Sequence, residues 1–215
     1  MSSKTRRGIA VTALAVAGTM SLTVPQAMAA GAPMKSESSS GAVAPSKSFG
    51  RLGALTDLVI ERLRVSDDVA ASKFGTDQPI DDPVREQQVL DQVRNQADAL
   101  GLDPDAATAF FQDQITASKV VQKGLFARWT AHPDEAPTTR PDLGQIRTRL
   151  DQLTAALLQQ LEATVDVRTE PTSCTVQLTL AVGSAVVLER PDTLHRRALG
   201  TAVHSVCTGQ AVTPS

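Results

Sequence analysis

Four long stretches between residues 52 and 161 repeat apolar side chains at intervals of three and four. Each of these helical seams is broken or edged by a residue that resists burial. Over 52–74 the seam reads Leu52, Leu55, Val59, Arg62, Ser66, Val69, Lys73 and stops at Gly75. At about 1.5 Å per residue such a helix is roughly 33 Å long. Asp82-Pro83 opens a second helix, as an N-cap followed by proline at the first helical position. Its stripe is Val89, Val93, Ala97, Leu100, with Arg85 one turn ahead at the edge and Gly101 as the stop. Asp103-Pro104 opens a third, reaching about Trp129 with the seam Phe111, Ile115, Ser118, Gln122, Leu125, Trp129. Pro133, Pro137 and Pro141 forbid a helix in the next stretch. Asp142 then caps a fourth helix with the seam Leu143, Arg147, Leu150, Thr154, Leu157, Leu161.

Isolated buried cations are costly, and several facing one another are more so. A cluster such as Arg62, Lys73, Arg85 and Arg147 is stable only around an anion, unless solvent or acidic side chains reach it. The seams therefore point to a cationic pocket inside a helical bundle, suited to a small acid with more than one negative group. Each residue also has an ordinary structural reading. Lys73 complements the dipole of a helix end, Asp82 is an N-cap and Glu86 a first-turn acid. Ser118 and Gln122 can form an interhelical hydrogen-bond pair, and Arg62 and Arg147 are long enough to snorkel to a rim. Joint occurrence on four helices favours the pocket.

The rest of the chain frames this bundle. Lys4, Arg6 and Arg7, an apolar run over 9–24 and Ala27-Met28-Ala29 make a signal peptide over 1–29. The run is too short and broken for a stable membrane anchor, and the general export route fits better than the twin-arginine one. Cleavage near Ala29 gives a secreted or periplasmic protein with 18 basic against 23 acidic residues, a charge of −5. That balance excludes wholesale nucleic-acid binding. With no Tyr, one Trp and five Phe, the chain has little for stacking bases or sugars. Residues 30–50, rich in Ser, Gly, Ala and Pro, read as a flexible leader, 51–208 as the folded domain and 209–215 as a flexible tail.

Cys174 and Cys207, the sole cysteines, read as a disulfide in an exported chain. In the chain-entropy model the closed loop contributes about 3–4 kcal/mol. No CxxC is present, and His132, His195 and His204 have no metal-like spacing to either cysteine, so no metal site is expected. The stretch 175–188, rich in Val and Thr, has the propensity of a strand, whereas 192–207 patterns as a helix through Leu194, Ala198 and Val203. The fold class expected is all-α, a bundle of long helices with a C-terminal disulfide.

Over 52–207 the sequence resembles the secreted all-α chorismate mutases, the γ subclass of the AroQ class. The carriers begin with Glu61-Arg62-Leu63, Ala70-Ala71-Ser72-Lys73 and Gln78-Pro79-Ile80-Asp81-Asp82. Arg85-Glu86-Gln87-Gln88, Phe111-Gln112-Asp113-Gln114-Ile115, Ala117-Ser118-Lys119 and Gln122 follow, then Phe126, Trp129, Pro141-Asp142-Leu143, Arg147 and the cysteine pair. Spacings of 11 from Arg62 to Lys73, 12 to Arg85, 33 to Ser118 and 4 to Gln122 agree with that class. The resemblance implies conversion of chorismate to prephenate by a Claisen rearrangement with no cofactor, a step of the shikimate route to aromatic amino acids. It also implies a helix over 175–188, a pocket completed within one chain by Arg147, and allows a homodimer.

Implied roles follow the chemistry of a dicarboxylate. Arg62 and Arg147 clamp carboxylates, Arg85 assists, and Ser118 supports one of them. Lys73 and Gln122 donate to the ether oxygen as its bond breaks, while Glu86, with Asp82 nearby, receives the ring hydroxyl. An isochorismate pyruvate lyase of the same fold, or a secreted helical binding or effector protein with a remnant pocket, are the competing readings. No G-x-S-x-G elbow, HExxH or GxxxxGK[ST] loop is present.

Overall fold

The computed structural model describes residues 46–207. The expected signal peptide at 1–29, the expected leader up to residue 45 and the expected tail at 209–215 lie outside the described residues. Seven α-helices run in order among these residues: α1 (Gly53–Lys73), α2 (Pro83–Ala99), α3 (Pro104–Ala131), α4 (Leu143–Ala163), α5 (Val165–Arg168), α6 (Pro171–Glu189) and α7 (Thr193–Ala202). One 3₁₀ turn, Pro133–Glu135, lies in the proline-rich connection, and no strand occurs among the described residues. Helix starts and stops fall where the punctuation put them. Asp82 accepts from the Arg85 amide, Asp103 from those of Asp105 and Ala106, and Asp142 from that of Gln145. Gly75 and Gly101 turn the chain away at φ of 71° and 69°, a conformation that disfavours side chains.

Helix α1 is the axis of the fold, packing on α3, α4, α6 and α7, while α3 also carries α2 and α7. Leu52 just before α1, Leu55 and Val59 of α1, Phe110, Phe111 and Val121 of α3, and Leu157, Leu158 and Leu161 of α4 are fully buried in one core. Each such side chain contributes about 1.5–3 kcal/mol by leaving water. A smaller cluster of Val65, Val69, Ile146 and Leu153 joins α1 to α4. A Cβ on Gly124 would come within 2.5 Å of the Leu194 side-chain tip, so Leu194 of α7 packs directly on the backbone of α3 at that glycine.

Helix α6 corrects the strand propensity of 175–188. Cys174, Ala181 and Ala185 form the small-residue stripe it buries, and the disulfide Cys174–Cys207 ties its first turn to the chain beyond α7. Propensity counts Val and Thr without asking which face they occupy. Here Val176, Leu180, Val187 and Leu188 are exposed, and the Thr175 and Thr179 hydroxyls donate to carbonyls one turn back, at 2.8 and 2.7 Å. Helix α7 ends at Ala202, short of the 207 expected from its pattern, and turns bring Cys207 to Cys174. Residues 46–50, inside the stretch read as leader, lie against α1 and α6. Asp57 accepts from Ser46 Oγ at 3.0 Å and from the Lys47 amide at 2.7 Å, and the Phe49 amide donates to Ser184 Oγ at 2.8 Å.

His195 pins the start of α7 to α1. Its Nε2 lies 2.9 Å from Asp67 and its Nδ1 2.9 Å from Asp192. Only the imidazolium donates at both nitrogens, and the bond to Asp67 raises the pKa from 6.5 to about 9 against the opposing effect of burial. A raised folded pKa gives stability that is complete below about pH 6.5 and is lost as pH rises through 9. The two carboxylates are 44% and 55% exposed, so solvent screening reduces the contribution to about 1–2 kcal/mol. Urea unfolding should therefore show that loss between about pH 6.5 and 9.5, and His195→Gln should flatten it. An equal slope in the variant would mean that the clamp contributes nothing.

Candidate active site

A cavity of about 390 Å³ opens between α1, α2, α3 and α4, partly covered by the connection 75–82. All eight residues singled out by the seams and the resemblance border it: Arg62 and Lys73 from α1, Asp82, Arg85 and Glu86 from the start of α2, Ser118 and Gln122 from α3, and Arg147 from α4. Helical spacing explains the convergence. Positions 62, 66, 69 and 73 share a face of α1, as do 115, 118 and 122 on α3 and 143, 147, 150 and 154 on α4.

Arg62 is buried, not snorkelling. Its Nη1 donates to the Leu150 carbonyl at 3.3 Å and Thr154 Oγ1 at 3.2 Å, and its guanidinium stacks 5.7 Å from the centre of the Phe111 ring. Burial lowers its pKa to about 10, with Asp151 opposing, so it remains a cation throughout the neutral range. Lys73 stands in the last turn of α1 and donates to the Pro79 carbonyl at 2.9 Å. Burial lowers its pKa, while Asp82 and Glu86 oppose this and Arg147 adds to it. The end of α1 is held by Phe74, whose ring meets Phe126 and Trp129 edge-on at 5.2 Å, and by Arg140, which donates to the Phe74 carbonyl. This aromatic corner fixes where Lys73 leaves the helix.

Arg85 and Arg147 are exposed at the mouth of the cavity. Arg85 reaches Gln88 at 3.4 Å, and Arg147 has no hydrogen bond or ion pair among the described residues. Asp82 and Glu86 cap backbone amides at the start of α2. The Asp82 side chain accepts from the Arg85 amide, and Glu86 Oε1 accepts from the Asp82 amide at 3.3 Å. Gln122 is buried, and its Nε2 donates to Ser118 Oγ at 3.1 Å, with Ser66 Oγ 2.9 Å from the same hydroxyl. The Ser118–Gln122 bond thus lies within α3, the interhelical bond joins Ser118 to Ser66 of α1, and Ser118 and Gln122 both line the cavity. Gln122 Oε1 is buried without a partner among the described residues.

Three participants were not among the eight. Thr154 and Asp151 of α4 meet Arg62 by a hydrogen bond and by charge, and Lys119 of α3 forms an ion pair with Glu86 at 2.9 Å. Thr154 interrupts its seam as Ser118 does, a signal that was present in the sequence. The Lys119 pairing spans 33 residues and had no local signal. Together the walls carry five cationic side chains (Arg62, Lys73, Arg85, Lys119, Arg147) and three acidic ones (Asp82, Glu86, Asp151), leaving two positive charges in excess. Such a wall suits a compact dianion. Among the described residues no group of three His, Cys, Asp or Glu side chains is arranged to hold a metal ion.

The comparisons agree with this geometry. The family model for chorismate mutase type II matches residues 53–123. A secreted chorismate mutase of Mycobacterium tuberculosis is 36% identical over 165 residues, covering 77% of this chain and 81% of that protein. One from Mycolicibacterium smegmatis is 35% identical, covering 71% and 84%. Among solved structures, the chorismate mutase of Burkholderia thailandensis superposes with a TM-score of 0.68 at 38% identity, over 73% of this chain and 99% of that one. With an all-α bundle, four helices converging on one cationic cavity, and relatives matched along most of their length, the chain belongs to the chorismate mutase family.

Proposed function

We propose that the protein is an isomerase that converts chorismate to prephenate, and that Arg62, Lys73, Arg85, Glu86, Ser118, Gln122 and Arg147 carry out the work. The observation that supports this most is the excess of two positive charges on one small cavity, matching a substrate with two carboxylates. Arg62 and Arg147 take these carboxylates as planar forks, with Arg85 and Ser118 assisting. Held at both ends, the enolpyruvyl arm folds over the ring, which selects a conformer otherwise rare in water. As the ether C–O bond breaks and the new C–C bond forms, negative charge grows on the ether oxygen. Lys73 and the Gln122 amide donate to that oxygen more strongly in the transition state than in the ground state. Glu86, with Asp82 beside it, accepts the ring hydroxyl. An acceleration of about a millionfold corresponds to about 8 kcal/mol of preferential transition-state binding.

Export through the leader with cleavage near Ala29, a mature chain with no stable membrane anchor, and a homodimer belong to the same proposal. The disulfide and the word "secreted" in the names of the mycobacterial relatives support export. Purified mature protein supplied with chorismate should consume it with stoichiometric appearance of prephenate. With isochorismate it should release no pyruvate. Pyruvate release without prephenate would replace this reading by the lyase, and binding without turnover would replace it by a non-catalytic role.

A further inference from the structure

Glu86 is the acid that meets the substrate hydroxyl in the reading above, yet it stands on the first turn of α2 beside a cavity wall with cations in excess. Its backbone-derived bond, from the Asp82 amide, is long at 3.3 Å. What fixes the carboxylate is Lys119, whose Nζ lies 3.1 Å from Oε1 and 2.9 Å from Oε2. Both side chains are only about one-fifth exposed, at 22% and 21%. Lys119 follows Ser118 by one residue, which turns it by about 100° from the seam and toward α2. The same ammonium lies 3.5 Å from Asp81 of the covering connection, and Lys123, one turn on, lies 2.9 Å from the other Asp81 oxygen. The hydrogen bond it donates to Glu86 raises the pKa of Lys119, which keeps it charged.

The alternative partner for Glu86 is Lys73, which senses its charge without forming an ion pair and gives its own hydrogen bond to the Pro79 carbonyl. Resting on the mutase reading, we propose that Lys119 is a positioning residue for that reaction. It holds the Glu86 carboxylate where it accepts the substrate's ring hydroxyl, and it keeps that carboxylate off the Lys73 ammonium. Once released, the carboxylate would be drawn to that ammonium, whose charge it already senses, and would compete for the N–H groups required at the ether oxygen. Lys119 is therefore the cavity cation that does not bind substrate. Its charge is committed to sorting two opposite charges that must act on different atoms.

Lys119→Met should lower kcat/KM for chorismate by about 10- to 100-fold, mostly in kcat, with the thermal midpoint little changed. Lys119→Arg, which retains the charge and can donate to both Glu86 oxygens, should recover to within about threefold of wild type. In a Glu86→Gln background the same Lys119→Met change should cost less than about threefold. If Lys119→Met does not fold, Lys119→Gln serves in its place. An equal loss in the Glu86→Gln background would overturn the proposal, and so would a variant within about twofold of wild type. Either outcome leaves the mutase reading intact, whereas a wild-type protein that makes no prephenate defeats that reading itself.

Discussion

Arg147→Ala should lower kcat/KM for chorismate by about 1,000-fold while moving the free energy of unfolding by no more than about 0.5 kcal/mol. The two halves of this expectation come from the same observation. Arg147 sits on α4 at the mouth of the cavity, exposed, with no hydrogen bond or ion pair among the described residues. Nothing in the fold rests on its guanidinium, and its charge acts against that of Lys73. A fork that binds a carboxylate in two parallel bonds is worth several kcal/mol once water is excluded, and about 4 kcal/mol is a thousandfold. Arg147→Lys retains the charge and loses the fork, so it should recover part of the loss only. Arg62 is the contrasting case. It is buried, bonded to Leu150 and Thr154 and stacked near Phe111, so Arg62→Ala should destabilise the fold as well as the reaction. Parallel losses of turnover and stability in Arg147→Ala, from steady-state kinetics and urea unfolding, would return Arg147 to an ordinary structural role.

The helices that build the site were legible because their ends are marked locally. Asp-Pro at 82–83 and 103–104, Asp142, and the glycines at 75 and 101 act within a few residues of themselves. The pocket was legible for a different reason. A helical seam is a prediction of burial, and Arg62, Ser118 and Gln122 occupied seam positions that an apolar core gives to Leu. What could not be read depends on contacts between elements far apart in sequence. Lys119 lies off the seam and acquires its role only because α2 packs beside α3. Strand propensity failed at 175–188 because the disulfide and the small stripe of Cys174, Ala181 and Ala185 commit that segment to α1 as a helix. His195 gave no local sign of Asp67, which lies 128 residues earlier.

Gln122→Glu should convert a reaction nearly independent of pH across neutrality into one that runs in acid. The amide donates to the ether oxygen at any pH, since it has no proton to lose in the working range. A carboxyl group at the same buried position donates only when protonated. As a carboxylate it presents negative charge to an oxygen that is itself becoming negative. Burial favours the neutral acid at this site and Lys73 favours the anion, so the group should titrate within the accessible acid-to-neutral range. At about pH 8 the variant should be about 100-fold slower than wild type, a loss typical of removing one donor from a developing anion. As pH falls, kcat/KM should rise about tenfold per unit until the carboxyl group is protonated, and then level near the wild-type value. Gln122→Ala, with no proton to gain, should be slow at every pH. A Gln122→Glu profile parallel to that of wild type would remove Gln122 from the ether oxygen and leave its bond to Ser118 as its whole purpose.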